Sequence, residues 1–233
     1  GPLKGLWSAT SSAIGAVGSS DGVFTATGEA GGSVRVRVEV ARVAGALQAD
    51  TGLTVLIKRQ VIVPGPNPDP GSLFKTPPVA DNARAAGIAY PLAKAVMPQN
   101  VFPANVQWLN GVAGDVFRVT IKKPSVEVVA YVQHTGAAFT NSWLVEQKAW
   151  RAVAQSDGDQ AAADISVDRY EAATKQVISG AAVSIRLIKA ALQGSIYYWD
   201  IAAGRILRID DGTANRVAFM PAPPTEIGRA SCR

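Results

Sequence analysis

The chain has 233 residues, of which 48% are hydrophobic and 18% charged, with 22 glycines and 14 prolines. This charged fraction lies below the roughly 25% of an average soluble domain, and the composition excludes a coiled coil and a wholly disordered chain. The formal net charge is +5, but the basic residues are scattered among apolar ones, so the sequence predicts no nucleic-acid partner. No apolar run approaches the roughly 18 residues of a membrane helix, so we expect no membrane insertion.

The first sixty residues show the alternation of β-strands. Residues 33–40 place four valines on one face and three charged side chains on the other, the period of a half-buried strand. Residues 23–27 follow the turn signal Ser20-Asp21-Gly22, so we expect them to form a hairpin with 33–40. Residues 53–57 predict a further strand.

A proline-rich segment divides the chain. Residues 64–71 contain four prolines, each of which lacks a backbone N–H and restrains the residue before it. We therefore predict a semi-stiff linker at 63–85. It separates a domain at 1–62 from a second at 86–224, and residues 225–233 form a non-native tail.

The second domain is predicted to be an antiparallel β-sandwich with one short helix at 145–155. Its fold class, like that of the whole chain, is all-β. The predicted strands are residues 106–109, 116–121, 126–132, 142–145, 164–167, 182–188, 195–199 and 205–209.

Four short motifs resemble the second half of a group 2 bacterial Ig-like domain. They are Trp7-Ser8-Ala9, then residues 14–17, 22–26 and 31–36, in the order and spacing of that family. The resemblance implies a partial Ig-like domain that lacks its first strands. We therefore expect the chain to be a fragment, cut within a domain at its start.

The rest of the chain resembles the Ig- or fibronectin-III-like region of large myxobacterial-type surface or secreted proteins. The likeness is carried by residues 97–103 before 106–108, and by 194–199 through 205–212. In such relatives a haem-type Cys-x-x-Cys-His and a TolB-like propeller often follow. Residues 226–233, which include the single cysteine, Cys232, resemble a translated sequencing adapter.

Candidate catalytic residues are few. Gly18-Ser19-Ser20-Asp21-Gly22 fits the G-x-S-x-G pattern, but a nucleophile elbow needs a following helix and a histidine base. A strand follows instead, so a turn is the favoured interpretation. The single histidine, His134, cannot build a multi-histidine metal site, and we predict that it is a surface or edge residue. We predict no catalytic, cofactor-binding or metal-binding residue, no cofactor and no enzyme activity.

Two acidic segments could supply oxygen ligands to Ca²⁺. The first is Asp157-Gly158-Asp159 with Asp164 nearby, and the second is Asp210-Asp211-Gly212. Neither has the spacing of an EF-hand loop, so solvated turns are the favoured interpretation.

Aromatic side chains are the remaining candidates for binding, because a flat ring can stack on a sugar. Tyr197 and Trp199 should share one side of a strand, while Tyr198 takes the other. Core or interdomain packing is favoured over a glycan platform. The aromatic residues concerned are Trp108, Trp143, Trp150, Tyr197, Tyr198 and Trp199.

Together these observations predict a non-catalytic structural or adhesive module of an exported bacterial surface protein. The expected location is extracellular or at the cell surface, with the periplasm as an alternative. The expected partner is a cell-surface protein or a glycan. Two alternatives remain open: the leader region of a haem-bearing redox surface protein, and a carbohydrate-binding module.

Overall fold

The computed structural model describes residues 5–43, 45–158, 161–201 and 203–219. Strands make up 48% of the described residues and helix 7%, so the predicted all-β class with a single short helix is confirmed. A 3-10 helix spans Pro70–Phe74 and the α-helix, α1, spans Gln147–Gln155. The strands are β1 (Gly5–Ala9), β2 (Gly15–Val17), β3 (Phe24–Ala26), β4 (Gly32–Val40), β5 (Leu47–Val55), β6 (Ile57–Ile62), β7 (Val79–Ala80), β8 (Ile88–Tyr90), β9 (Val96–Pro98), β10 (Asn105–Trp108), β11 (Val116–Lys123), β12 (Val126–Gln133), β13 (Ser142–Leu144), β14 (Ala162–Glu171), β15 (Gln176–Ser179), β16 (Val183–Ile188), β17 (Ser195–Asp200), β18 (Arg205–Asp210) and β19 (Arg216–Ala218).

The largest sheet has the strand order β6-β12-β11-β14-β15-β7. Strand β16 also pairs with β14, and β9 pairs with β16. Strands β11, β12 and β14 form its antiparallel centre. Three shorter strands, β6, β7 and β9, join in parallel. The long central strands are rich in β-branched residues, which favour a pleated and half-buried surface.

One face of the large sheet carries the main core. Phe117, Val119 and Ile121 alternate along β11 and have no exposed surface. A second sheet, ordered β13-β10-β8, covers part of this face, and the Trp108 ring of β10 lies 4.9 Å from the Phe117 ring. Helix α1 covers another part with the buried Trp150. The two sheets and the helix thus form a sandwich-like pair of layers.

The opposite face of the large sheet is covered by part of the segment predicted to be a linker. Phe74 is 7% exposed and packs with Val116 and Val177. Its ring lies 5.6 Å from the Tyr131 ring, and the Arg118 guanidinium lies 5.0 Å from its centroid. The linker prediction therefore missed an anchored element. Pro70 can begin a 3-10 helix, and Leu73 and Phe74 at the end of that helix pack against the sheet.

The amino-terminal strands form two small sheets. Strand β4 lies between β1 and β5, and its Val34 and Val36 are buried. The predicted hairpin between 23–27 and 33–40 is wrong, because β3 pairs with β2 and β4 pairs with its other neighbours. Gly22 closes the β2–β3 loop at φ +71°, where a Cβ would lie 2.7 Å from the Trp7 ring.

The division of the chain also differs from the predicted domains. Strand β6, placed by the sequence at the end of the first domain, pairs in parallel with β12 of the large sheet. The described residues form two compact units, one within Gly1–Gln99 and Pro103–Lys189 and the other within Asn100–Phe102 and Ala190–Arg233. In the second unit, β17, β18 and β19 form a three-stranded antiparallel sheet. Neither unit ends at 63–85, because the residues of that segment contact the large sheet.

Candidate functional site

The strongest candidate for a binding surface is one face of the sheet β17-β18-β19. Tyr197 lies opposite Arg208, and Trp199 lies opposite Ile206, so these four side chains share a face. Arg208 in turn lies opposite Val217 of β19. Phe219 follows β19 and donates its N–H to the Ile206 carbonyl at 3.1 Å. We call the surface of Tyr197, Trp199, Ile206, Val217 and Phe219 the aromatic face.

The rings of the aromatic face are accessible. Trp199 is 60% exposed, Tyr197 51% and Phe219 44%. Tyr197 and Phe219 meet edge to face, with centroids 4.6 Å apart, which fixes the orientation of the Tyr197 ring. An exposed cluster of large apolar side chains is the common mark of a binding surface.

The other aromatic candidates have a different role. Trp108, Trp143 and Trp150 are at most 6% exposed and belong to the core of the first unit. Tyr198 is half-buried, on the side of β17 opposite Tyr197 and Trp199. The alternation predicted from the sequence thus separates the exposed rings of β17 from the half-buried one, and the core packing predicted for the aromatics holds for the three buried tryptophans.

The G-x-S-x-G segment forms the loop between β2 and β3. The Gly22 N–H donates to the Gly18 carbonyl at 3.0 Å, and the Val23 N–H donates to the Asp21 carboxylate, also at 3.0 Å. A strand follows the loop. Its hydrogen bonds are those of a turn, and the loop lacks the strand-to-helix geometry of a nucleophile elbow.

His134 directly follows β12 and is half-buried. Its backbone N–H donates to the Asp115 carbonyl at 2.9 Å, and its Nδ1 accepts the Gly136 N–H at 3.3 Å. The imidazole lies 4.5 Å from the Phe139 ring. These contacts place the side chain in the packing at the end of a strand.

The first acidic segment does not converge on a common centre. The Asp157 carboxylate accepts the Ser125 N–H at 2.8 Å, whereas Asp164 accepts the Ser184 hydroxyl across from β16. Asp159 lies outside the described residues. Within the described ranges, no three His, Cys, Asp or Glu side chains form a group that could hold a metal ion.

The second acidic segment forms the turn after β18. The Thr213 N–H donates to the Asp210 carbonyl at 3.2 Å, and Gly212 has φ +68°. Asp211 accepts the Asn100 amide at 2.8 Å, and the same amide donates to the Leu192 carbonyl at 2.9 Å. This network stabilises the second unit.

A cluster of charges that sequence reasoning missed lies in the first unit. Asp115 has no exposed surface, and its carboxylate accepts Arg169 Nε at 2.7 Å. Arg84 contacts Glu171 at 3.1 Å and Asp81 at 2.8 Å. The Arg84 guanidinium, by donating to the carboxylate, holds the pKa of Asp81 below its usual value. These residues lie up to about ninety positions apart, so no local pattern could have identified the cluster.

A cleft of about 590 Å³ is also present in the first unit. Its described lining includes Ser11, Ser33, Gln99, Gln155 and Asp157. Lys189 also lines the cleft, so its polar side chains supply hydroxyl, amide, carboxylate and ammonium groups. One Asp157 carboxylate oxygen already accepts a backbone N–H, as described above, so that oxygen is engaged within the fold.

Two further observations concern the chain as a whole. In the part of the chain that the structure describes, no helix has the length and apolarity needed to span a membrane. No family model matches the chain, and no curated protein matches it significantly.

Proposed function

We propose that this chain is a non-catalytic structural and adhesive module of an exported bacterial surface protein, and that the aromatic face is its contact surface. The observation that carries the proposal is the exposure of Trp199, Tyr197 and Phe219 on one side of a three-stranded sheet. Exposed tryptophan and tyrosine supply large apolar contact area at low cost in side-chain entropy.

The charged side chains beside the aromatic face support a contact role. Arg208 lies among the rings and forms an ion pair with Asp210 at 2.9 Å. Asp210 also accepts the Ser195 hydroxyl at 2.6 Å. Aromatic residues and arginine are both enriched at protein interaction surfaces, so an arginine beside exposed rings is consistent with a contact role.

The charges of the first unit support the structural part of the proposal. Arg169 forms an ion pair with Asp115, and Arg118 forms one with Asp168, and both pairs hold strands together. Their side chains are at most 25% exposed. These charged groups therefore stabilise the framework of the module.

The specific arrangement of Tyr197 and Trp199 favours a second candidate, a carbohydrate-binding module. The two residues lie two positions apart in one strand, so their Cα atoms are about 7 Å apart and their side chains lie on the same face. Two neighbouring exposed rings can stack on the apolar faces of sugar rings.

The test compares wild type with Trp199→Ala and Tyr197→Ala on immobilised glycoproteins and polysaccharides, before and after enzymatic removal of the glycans. We expect each substitution to weaken binding about tenfold or more, because a central aromatic anchor carries much of an interface's energy. Leu109→Ala is the control, since Leu109 is 63% exposed and lies after β10.

The outcomes separate the two candidates. Binding that survives glycan removal supports protein adhesion, whereas binding that is lost with the glycans supports the carbohydrate module. Trp199 is the most exposed of the tryptophans discussed above, so its fluorescence provides a second readout. Failure of wild type to bind any surface, or unchanged binding by both variants, would contradict an adhesive aromatic face.

A further inference from the structure

Strand β5 is a long sheet edge. It pairs with β4 along all nine residues, and among the described residues no strand pairs with its other side. All of its residues except Val55 are exposed, including Leu47 at 50% and Leu53 at 37%. An edge of this length presents a row of free backbone donors and acceptors, which is a template for another strand.

We propose that β5 pairs antiparallel with β5 of a second copy of this chain, about a two-fold axis at Thr51. Thr51 is the midpoint of Leu47–Val55, so this register uses the whole strand. Paired residues of an antiparallel sheet share a face. Ala49 then lies opposite Leu53 of the partner subunit, which extends the apolar side of the sheet across the axis.

Charge and overlap length together favour this register over its two neighbours. Asp50 is the single charged residue of β5, and with the axis at Thr51 it lies opposite Gly52 of the partner subunit. An axis at Asp50 would place two carboxylates directly opposite each other, which is unfavourable. An axis at Gly52 would shorten the overlap to residues 49–55. The chosen register has the longest overlap and opposes no like charges.

The resulting assembly is a continuous six-stranded sheet in which β5 is no longer an edge. The interface is isologous, as a two-fold axis requires. Because it consists of one strand pair, it falls below the area of a standard interface, and we expect an affinity of about micromolar or weaker.

Gly52 offers a test in which two variants should have opposite effects. A Cβ at Gly52 meets no atom within 4 Å, and the backbone there lies outside the left-handed region. In each dimer both copies of residue 52 face Asp50 of the other subunit. Gly52→Lys should therefore tighten the dimer, and Gly52→Asp should weaken it, each about threefold to tenfold. Concentration-dependent sedimentation velocity of the full chain measures both shifts.

Effects on folding can be separated from effects on association. Within one copy, Gly52 lies opposite Arg35, which also pairs with Asp50 at 3.0 Å. Gly52→Asp should therefore not destabilise the monomer through charge, whereas Gly52→Lys should. At low protein concentration, Gly52→Lys should therefore lower the melting temperature although it tightens the dimer. Gly52→Asp should not lower it through charge although it weakens the dimer.

The control pair is Ser8→Lys and Ser8→Asp, at an exposed residue on β1, the other edge of the same sheet. Neither control should change the dissociation constant. A wild type that stays monomeric up to its solubility limit overturns the proposal. So does a dimer that is insensitive to Gly52, or one that both Gly52 variants shift in the same direction.

Discussion

Asp115 shows how a fully buried charge is stabilised in this protein. Its carboxylate accepts the N–H groups of Val112 and Ala172, both at 3.0 Å, in addition to Arg169. Removing a carboxylate from water costs several kcal/mol unless hydrogen bonds and an opposite charge replace the lost hydration. Here three donors supply that replacement.

Lys123 is a second buried charge, at 2% exposure. Its ammonium donates to the carbonyls of Val153, Ser156 and Gly158, at and beyond the end of α1. The last carbonyls of a helix lack partners within the helix, and a positive charge there is also favoured by the helix dipole. Lys123 therefore connects β11 to the end of the helix.

Asp81 leads to a prediction about pH. Its pKa is lowered in the folded protein by the hydrogen bond from Arg84, so its ionised form stabilises the fold above its unfolded pKa, near 3.8. That contribution is lost as the pH falls through the lower folded-state pKa. Asp81→Asn should therefore lower the melting temperature at neutral pH, and the difference from wild type should vanish in acid. Thermal denaturation over a pH series measures this difference.

Arg84→Gln provides the matched control for Asp81. Without the guanidinium, the effect of Asp81→Asn should be smaller, because only the backbone N–H groups of residues 83 and 84 still donate to the Asp81 carboxylate. The effect in the wild-type background should also shrink at high salt, because both side chains are about one-third exposed. A pH-dependent effect of equal size in the Arg84→Gln background would contradict the role of this ion pair.

At the scale of elements, the proline-rich segment 63–85 is predicted to be a linker, but the structure packs it against the large sheet. The four prolines correctly indicate a segment that does not enter a sheet at 64–71. The 3-10 helix that ends at Phe74 nevertheless packs on β11 and β12, and β7 adds a short parallel strand to β15. Part of segment 63–85 therefore covers one face of the large sheet, and another part extends the sheet at its edge.

Phe74→Ala tests this anchoring. A linker side chain would tolerate the change, whereas loss of a buried phenylalanine should cost about 3 kcal/mol of unfolding free energy through lost burial and a cavity. Denaturant unfolding followed by the fluorescence of the buried tryptophans measures the cost. Leu56→Ala is the control, because Leu56 is 61% exposed and should change stability by less than about 0.5 kcal/mol. Equal stability of the two variants would argue against a structural role for the 3-10 helix.

At the scale of the whole molecule, the two compact units should differ in local stability. Strands β11 and β14 are paired on both sides, and their Val119 and Ile165 have no exposed surface. In the described part of the second unit, β17, β18 and β19 form a three-stranded sheet with an exposed aromatic face. Amide exchange depends on how much buried structure must open to expose the amide.

Hydrogen exchange measured by mass spectrometry should therefore find the slowest amides in β11 and β14. Those of β17–β19 should exchange faster, and β19 fastest of the three because it is short and lies at the sheet edge. Comparable protection of β18 and β11 would contradict this order. Repeating the experiment at several protein concentrations would also reveal added protection of β5 if it pairs with a second copy.

The sequence alone determined the class of the fold and the position of most long strands. A period of two residues is a local property, so the valines of 33–40 predicted β4 and the alternation around Phe117 predicted β11. The helix at 145–155 and the opposite orientations of Tyr197 and Tyr198 followed from equally local patterns. Short strands such as β7 and β9 carry too few residues to show a period.

Only the tertiary structure decided which strands pair and which side chains are exposed. Strand β3 pairs with β2 rather than β4, and β6 pairs with β12, because pairing depends on the packing of residues distant in sequence. The same holds for Trp150 and Trp199, which a sequence cannot distinguish as a core residue and an exposed ring. Burial is a property of the surroundings that the whole chain creates, and the candidate binding surface depends on it.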